Sequence, residues 1–573
     1  MAINADEKDF WDFMSIAKIS DSLLLAQRLI EAYKILQNWE SGCKIAEFAL
    51  ELIPAYTPRF LQFSDAQALL SRINGLASFG AAFSLQSRKR DGHSLTMLER
   101  GRGITADLLY DLRLDFDSRK FADLKPEFKQ KLLSSIGQLE NVTPRVNHLP
   151  GLASDGPSSG LVELTKRLEA SKMVNEFTKG WNTRLKPDNI GFSPLTKNGP
   201  IVIINVSFRC DAFIIKHVIE TMPLPELTQE QIEQRLRAGD LGSTKTLEWL
   251  WNAVAGPILD YLGYTETPCN NEWPQICWIT TGALDRFPLH SAGYHTDGSR
   301  RTVIDRAMSS YSSSLNAILE APVKDQQDSS TKAVLVAMQN TPGTTSVLPY
   351  APKELTIVRD ICNSMQLNPV EPERRTQQVL AQLKDCEIFH FAGHGETDET
   401  NPLKSQLRLD DWQTQPLTVS DLLNLNLRDS PPFLAYLSAC GTSQIKDKRL
   451  LDESLHLISA CKLAGFRNVV GTLWEVGDKA CVDVAETVYK ELRDSSMDDY
   501  SVCRGLHKAT RKLRDSWLVE VHMRTVRRGH NDSIGEDQKG SVDRSARDII
   551  PMDDYKNERP APWVAYVYYG SRR

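Results

Sequence analysis

Two kinds of apolar pattern divide the chain. Near the amino terminus Leu23, Leu24, Ala26, Leu29, Ile30, Tyr33 and Leu36 recur at helical spacing, and Ala46, Ala49, Leu50 and Ile53 continue it after Trp39. Segments 20–37 and 40–53 together have the length of one helix–turn–helix repeat, which Pro54 stops. Further helices are expected over 65–88 and 94–114. Segment 141–160, rich in Pro, Gly and Ser and lacking an apolar period, reads as a linker, with a helix resuming over 161–181.

Beyond the linker the pattern changes to short, continuous apolar runs at 200–207, 275–279, 333–338, 388–392, 433–438 and 469–473. Runs this short, rich in branched and aromatic residues, predict strands buried on both faces. Helical segments at 229–263, 353–365, 376–383, 453–464 and 479–492 fall between them, the fourth with Asp452 as cap and Gly465 as stop. Strand–helix alternation predicts parallel pairing through right-handed crossovers, with 388–392 and 433–438 central and helices on both faces. Segment 519–560 is polar and charged and reads as a flexible insertion. A closing strand is expected over 562–570. The fold class is therefore multidomain. An all-α, repeat-like region (1–140) and a linker (141–160) precede an α/β domain (161–573) with a mainly parallel sheet, whose core begins near 273.

Composition narrows the function classes. At 573 residues two to four domains are expected, and a net charge of −6 spread over the chain argues against a dedicated nucleic-acid surface. No run approaches 18 apolar residues and the start lacks a signal-peptide layout, so the expected setting is the cytoplasm, away from membranes. The ten cysteines include no Cys-x-x-Cys pair, so no zinc site and no disulfide framework are predicted. His290 and His295 lack a carboxylate or thiol at ligand spacing and read as structural. Glu99, Arg100, Arg102, Asp107, Asp111 and Arg113 read as solvated or paired helix charges.

The candidate chemistry sits where two strands end. The run at 388–392 closes on Gly393-His394-Gly395, and the run at 433–438 closes on Ala439-Cys440-Gly441-Thr442, 46 residues from histidine to cysteine. Loops at the carboxyl ends of parallel strands face a common crevice. A thiol titrating near about 8.5 needs an imidazole or a cationic setting to become a nucleophile at neutral pH, and that imidazole can then protonate a leaving amine. His394 and Cys440 are thus the expected catalytic pair, with the Gly395 and Cys440 amides as oxyanion donors.

The stretches His390-Phe391-Ala392-Gly393-His394-Gly395 and Leu437-Ser438-Ala439-Cys440-Gly441-Thr442 resemble the two signature motifs of the CHAT domain, a caspase-like cysteine peptidase family often fused to tetratricopeptide repeats. The resemblance extends through 405–409, 417–422 and 468–476, and more weakly to the N-terminal helices around 98–103. Caspases carry Gln where Ser438 stands, and Gly441 is followed by Thr442, which favours the CHAT branch over an Asp-specific cleft. The resemblance implies a cysteine endopeptidase acting on a protein or peptide substrate, with no metal or organic cofactor. It also implies a protein activator bound by the helical region. In caspase-like folds the segment after the strand at 469–473 helps build the specificity pocket. Glu475 and Asp478 are therefore candidates for reading a basic side chain, with Trp474 as a pocket wall, although Asp478 has a competing reading as a helix cap. Two rival functions stay open: a non-catalytic adaptor with a peptidase-like fold, and a cysteine hydrolase of a non-protein amide or thioester.

Overall fold

The computed structural model describes residues 19–56, 75–102, 192–193, 195–269, 272–319, 321, 330–398, 401–439, 456–495, 497–531 and 561–570. The chain divides into two compact units, Met1–Ile190 and Gly191–Arg573.

In the first unit, α1 (Ile19–Ile35) packs on α2 (Trp39–Tyr56), α2 on α3 (Leu76–Gln86) and α3 on α4 (Asp91–Arg100). The predicted stripes supply the contacts: Leu23, Ala26 and Ile30 on α1 and Ala46, Ala49 and Leu50 on α2 are buried. Leu24 and Leu36 face outward instead. Gly42 is small for a reason, since a Cβ there would lie 2.3 Å from the Phe83 ring. Glu99 and Arg102 pair at 3.6 Å and are buried rather than solvated. The expected linker and the helix over 161–181 lie outside the described residues.

The second unit is built on eleven strands: β1 (Ile201–Asn205), β2 (Asp211–Ile215), β3 (Ile219–Pro223), β4 (Gln275–Thr280), β5 (Met308–Tyr311), β6 (Lys332–Ala337), β7 (Asn368–Val370), β8 (Ile388–Gly393), then β12 (Leu434–Ala439), β13 (Asn468–Thr472) and β14 (Tyr566–Tyr569). Short strands β9 (Gly395–Glu396), β10 (Gln406–Leu407) and β11 (Leu417–Thr418) form a separate three-stranded sheet. The large sheet has the order β3-β2-β1-β4-β5-β14-β13-β12-β8-β6-β7. Strands β13, β12, β8, β6 and β7 are mutually parallel, as are β1, β4 and β5.

The sheet is mainly parallel, as expected, but its sense reverses at the join. β14 runs antiparallel to β13 and parallel to β5, so the two parallel groups point in opposite senses and their carboxyl ends emerge at opposite edges. β5 and the β1–β2–β3 hairpins were not foreseen, because β5 is only four residues long and β3 is merely half-buried. The closing segment, expected as a strand over 562–570, is a short 3₁₀ turn, Pro562–Val564, followed by β14, which is buried on both faces.

Helices cover strands β6, β8, β12 and β13 as the alternation predicts. Leu355, Val358 and Ile361 of α6 (Ala351–Ser364) join Val484, Val488 and Leu492 of α9 (Asp478–Asp494) in one core; α5 (Gln229–Ala238) precedes them in the chain, and α7 (Thr376–Leu383) and α8 (Leu457–Ala464) fall between. That core also takes Leu335, Ile388, Leu434, Tyr436 and Val470 from the sheet, and Val502 and Leu506 from α10 (Asp499–Asn531). α8 starts later than expected and is capped by His456, whose ring accepts from the Ser459 amide while Ser459 Oγ returns the bond; Asp452 lies outside the described residues. α10 carries helix through the first part of 519–560, to Asn531, and the remainder lies outside the described residues.

Candidate active site

β8 and β12 pair in parallel from Ile388 opposite Leu434 to Gly393 opposite Ala439. Both strands are six residues long and buried along their whole length, as strands inside a parallel sheet are. The residue after Gly393 is His394; the residue after Ala439 is Cys440, which lies outside the described residues. Gly393 itself has no room for a side chain, since a Cβ would sit 2.7 Å from the Phe391 ring and 3.0 Å from Met338 Cβ.

His394 is buried, and its Nε2 lies 3.3 Å from the Ser346 carbonyl oxygen. A carbonyl only accepts, so the proton resides on Nε2 and Nδ1 is left as the basic nitrogen. The loop bearing Ser346 is held in place by an Asn340–Val347 bridge, by the Leu348 amide donating to Gln339, and by Trp412 Nε1 donating to the Pro342 carbonyl at 2.8 Å. Arg408 lies over the Trp412 ring and pairs with Glu396. The Arg408 amide donates to the His394 carbonyl, so Gly395 and Leu407 form the pair of the β9–β10 ladder that exchanges no bonds. The Gly395 N–H accordingly points away from β10.

A small cavity of about 20 Å³ opens beside these strand ends, lined by Gly393, Ala439, Thr472, Val476 and Asp478 among others. Asp478, the first residue of α9, makes no cap bond to its own helix. Its Oδ2 accepts instead from the Tyr350 amide at 2.6 Å, at the start of α6. Burial, with the nearby Glu354 charge, holds its pKa above the usual carboxylate value, against the Tyr350 bond and His394, which lower it. Glu475 is exposed and Trp474 half-buried, and neither belongs to the cavity lining. Cys481, at the cavity wall, is pushed up to about 12 by burial and by Glu354.

Two participants have no counterpart in the sequence reading. The Ser346 carbonyl leaves no trace in side-chain chemistry. Glu354 did carry a signal: it occupies the inward stripe of α6 with Ala351, Leu355 and Val358, where an acid is out of place. His290 and His295 are accounted for by packing, His290 bonding to Tyr311 and the Val564 carbonyl, and His295 to the Ser291 carbonyl. Among the described residues no group of three or more His, Cys, Asp or Glu side chains is placed to hold a metal, and no helix is long and apolar enough to cross a membrane. The nine cysteines among them are free thiols.

The family model described as CHAT domain matches residues 244–571. Among solved structures, the chain is similar to the Saccharomyces cerevisiae separase–securin complex, with 10% identity, a TM-score of 0.47, and 93% of this chain matched to 37% of that one. It is also similar to the Arg specific cysteine proteinase gingipain R, with 9% identity, a TM-score of 0.32, and 50% of this chain matched to 69% of that one. The chain thus spans well under half the length of the separase chain it matches. No curated protein matches it.

Proposed function

The chain belongs to the CHAT-domain family, and from that premise we propose that it is a caspase-like cysteine endopeptidase using Cys440 and His394. The observation that carries this reading is the register pairing Gly393 with Ala439, which brings the strand leading to His394 beside the strand leading to Cys440. In the proposed reaction the Cys440 thiolate attacks the scissile carbonyl, and the Gly395 and Cys440 amides receive the oxyanion. The C–N bond breaks as His394 delivers a proton to the leaving amine, which yields a thioester. His394 then takes a proton from water, the hydroxide displaces the thiol, and a free carboxylate leaves. The Nε2–H contact to Ser346 supports this role, because it orients the ring and frees one nitrogen for proton transfer.

Asp478 is the proposed reader of a Lys or Arg side chain before the scissile bond, with Trp474 and Glu475 as outer members of the same region. The N-terminal helices are proposed as tetratricopeptide-like and as the binding site of a protein activator, since stacked helix pairs leave a concave face for a peptide. The cytoplasm is the proposed setting, where a reducing milieu keeps the nucleophile a thiol.

The test is labelling of the full-length protein with a thiol-reactive probe at neutral pH, followed by cleavage profiling on a peptide library. Cys440 is expected to react faster than the other nine cysteines, and His394→Ala to remove that advantage together with cleavage. Equal reactivity, with His394→Ala changing nothing, would leave an adaptor. A fast thiol without peptide cleavage would indicate a hydrolase of some other amide or thioester.

A further inference from the structure

At the β7 end of the large sheet an inner strand is left partly open. β7 pairs with β6 only at Lys332–Asn368, Ala333–Pro369 and Val334–Val370, so Leu335, Val336 and Ala337 have β8 on one side and no strand on the other. The Lys332 carbonyl accepts from the Glu387 amide, and the Met338 amide donates to the Ala392 carbonyl. Even-numbered residues of β6 therefore turn their backbone groups to β8, and odd-numbered ones turn theirs to the β7 side.

The sequence gives the reason for the early stop. The Asn368 amide donates to the Thr331 carbonyl, and a parallel ladder advances two residues on each strand, so the donor due at the Leu335 carbonyl is residue 372. That residue is proline, which has no N–H. The chain then turns away, with the Arg375 amide on the Glu373 carbonyl and the Thr376 amide on Asp411 at the start of α7. Among the described residues nothing replaces the missing donor at Leu335, and neither backbone group of Ala337 has a partner.

These groups face a groove of about 550 Å³, walled by Pro352, Leu355 and Arg359 from α6 and by Pro372 to Arg375 from the turn before α7. Leu335 is only 1% exposed, so a carbonyl left without a donor there is costly. An acceptor, a donor and a second acceptor along one strand edge are what an extended backbone satisfies. β7 already covers the first half of the edge, so the remaining three positions suit a single extended chain rather than the long edge of another sheet. The outer edge of β7 is blunted by Pro369, which faces away from β6.

The rim adds a sequence preference. Arg359 pairs with Glu371 at 2.7 Å, and Arg374 pairs with Asp410 at 3.2 Å. Arg375 and Glu373 are exposed at the groove, and neither has an ion-pair partner among the described residues. Both are left for charges that an occupant brings.

We propose that this groove docks an extended segment of a partner protein, which adds a short strand to β6 beyond β7 and carries an acidic residue for Arg375 and a basic one for Glu373. Backbone bonds hold the segment, and the two charges select its sequence. The site lies on the far side of β8 from β12, and the proposal does not rest on the peptidase reading.

The first experiment needs no ligand. Hydrogen exchange of the full-length protein, resolved to single amides, is expected to be fast at Ala337 and on the order of a hundredfold slower at Met338, which is bonded to Ala392. An Ala337 amide as slow as that of Met338 means that the edge is already covered, and overturns the proposal. The second selects phage-displayed heptapeptides on the full-length protein and measures the enriched sequences as fluorescein-labelled synthetic peptides. Bound peptides are expected to contain an acidic and a basic residue and to slow exchange at Ala337. Binding should weaken by about tenfold or more when alternate peptide amides are N-methylated, or when Ala337→Pro removes the donor. Ala337→Pro breaks no bond to β8, and its melting temperature reports whether the sheet is intact. If that variant does not fold, Arg375→Glu takes its place, with a loss of about fivefold expected. No enriched peptide, or peptides indifferent to N-methylation and to these variants, overturns the proposal.

Discussion

The Nε2–H of His394 donates to the backbone carbonyl of Ser346, 48 residues earlier in the chain, across 3.3 Å. The imidazole is therefore oriented by a loop, and the loop by Trp412. Replacing Trp412 with Ala removes the bond to Pro342 and the platform under Arg408. The expected outcome is a loss of about 1 kcal/mol in transition-state stabilisation, or roughly fivefold in kcat with KM little changed. Steady-state hydrolysis of a peptide substrate checks it, and an unchanged kcat would show that the loop holds the histidine without Trp412.

The sheet is continuous only because β14 fills the gap between β13 and β5. Its four residues, Tyr566 to Tyr569, are each at most 5% exposed. Truncating the chain before residue 561 exposes two strand edges and removes four buried aromatic side chains, those of Trp563, Tyr566, Tyr568 and Tyr569. Loss of a cooperative melting transition in the second unit is the expected result. A truncated protein that still melts sharply would mean that the two parallel groups fold independently.

Three buried histidines set a pH dependence. Burial, together with the Arg511 charge, pushes His507 down to about 3, and burial pushes His290 and His295 down to about 4. All three are neutral when folded at neutral pH, whereas the unfolded chain binds protons on them below about 6.5. Unfolding therefore takes up protons between about pH 6.5 and 4. Stability is full above that window and falls through it by about 1.4 kcal/mol per pH unit for each histidine, levelling off below the folded values. Denaturant titrations from pH 8 to 4 test this, and His507→Gln should reduce the slope by about one third.

Thiol reactivity should separate Cys440 from its neighbours. Cys362, Cys461 and Cys481 are each raised to about 12 by burial, and Cys269 is the exposed one among the described cysteines. Brief alkylation at pH 7 is expected to modify Cys440 first and Cys269 more slowly, sparing the buried thiols in the native protein. Mass spectrometry of the digest reads the order. Cys269 reacting first would place no activating group beside Cys440.

Much of the fold around β8 and β12 was legible because each element carries its own signal. The helix predicted over 376–383 is observed at Thr376–Leu383, and the strands at 388–392 and 433–438 are each found within a residue or two. The misses are equally physical. α8 begins at Leu457, capped by His456, because an imidazole can cap as well as a carboxylate, and Asp478 turns from its own helix to the Tyr350 amide because that donor lies beside it in space.

The order of apolar and polar residues alone determined the strands at β1, β4, β6, β8, β12 and β13 and the helices between the last four, and it placed a histidine at one strand end and a cysteine after another. Residue pattern encodes burial, and burial is what makes a run extended or helical. Only the tertiary structure decided the opposite sense of the two strand groups, the carbonyl that orients His394, and the meeting of Glu354, His390 and Ser438 beneath the cavity. A strand buried on both faces reads the same in either direction, and a backbone carbonyl has no letter of its own.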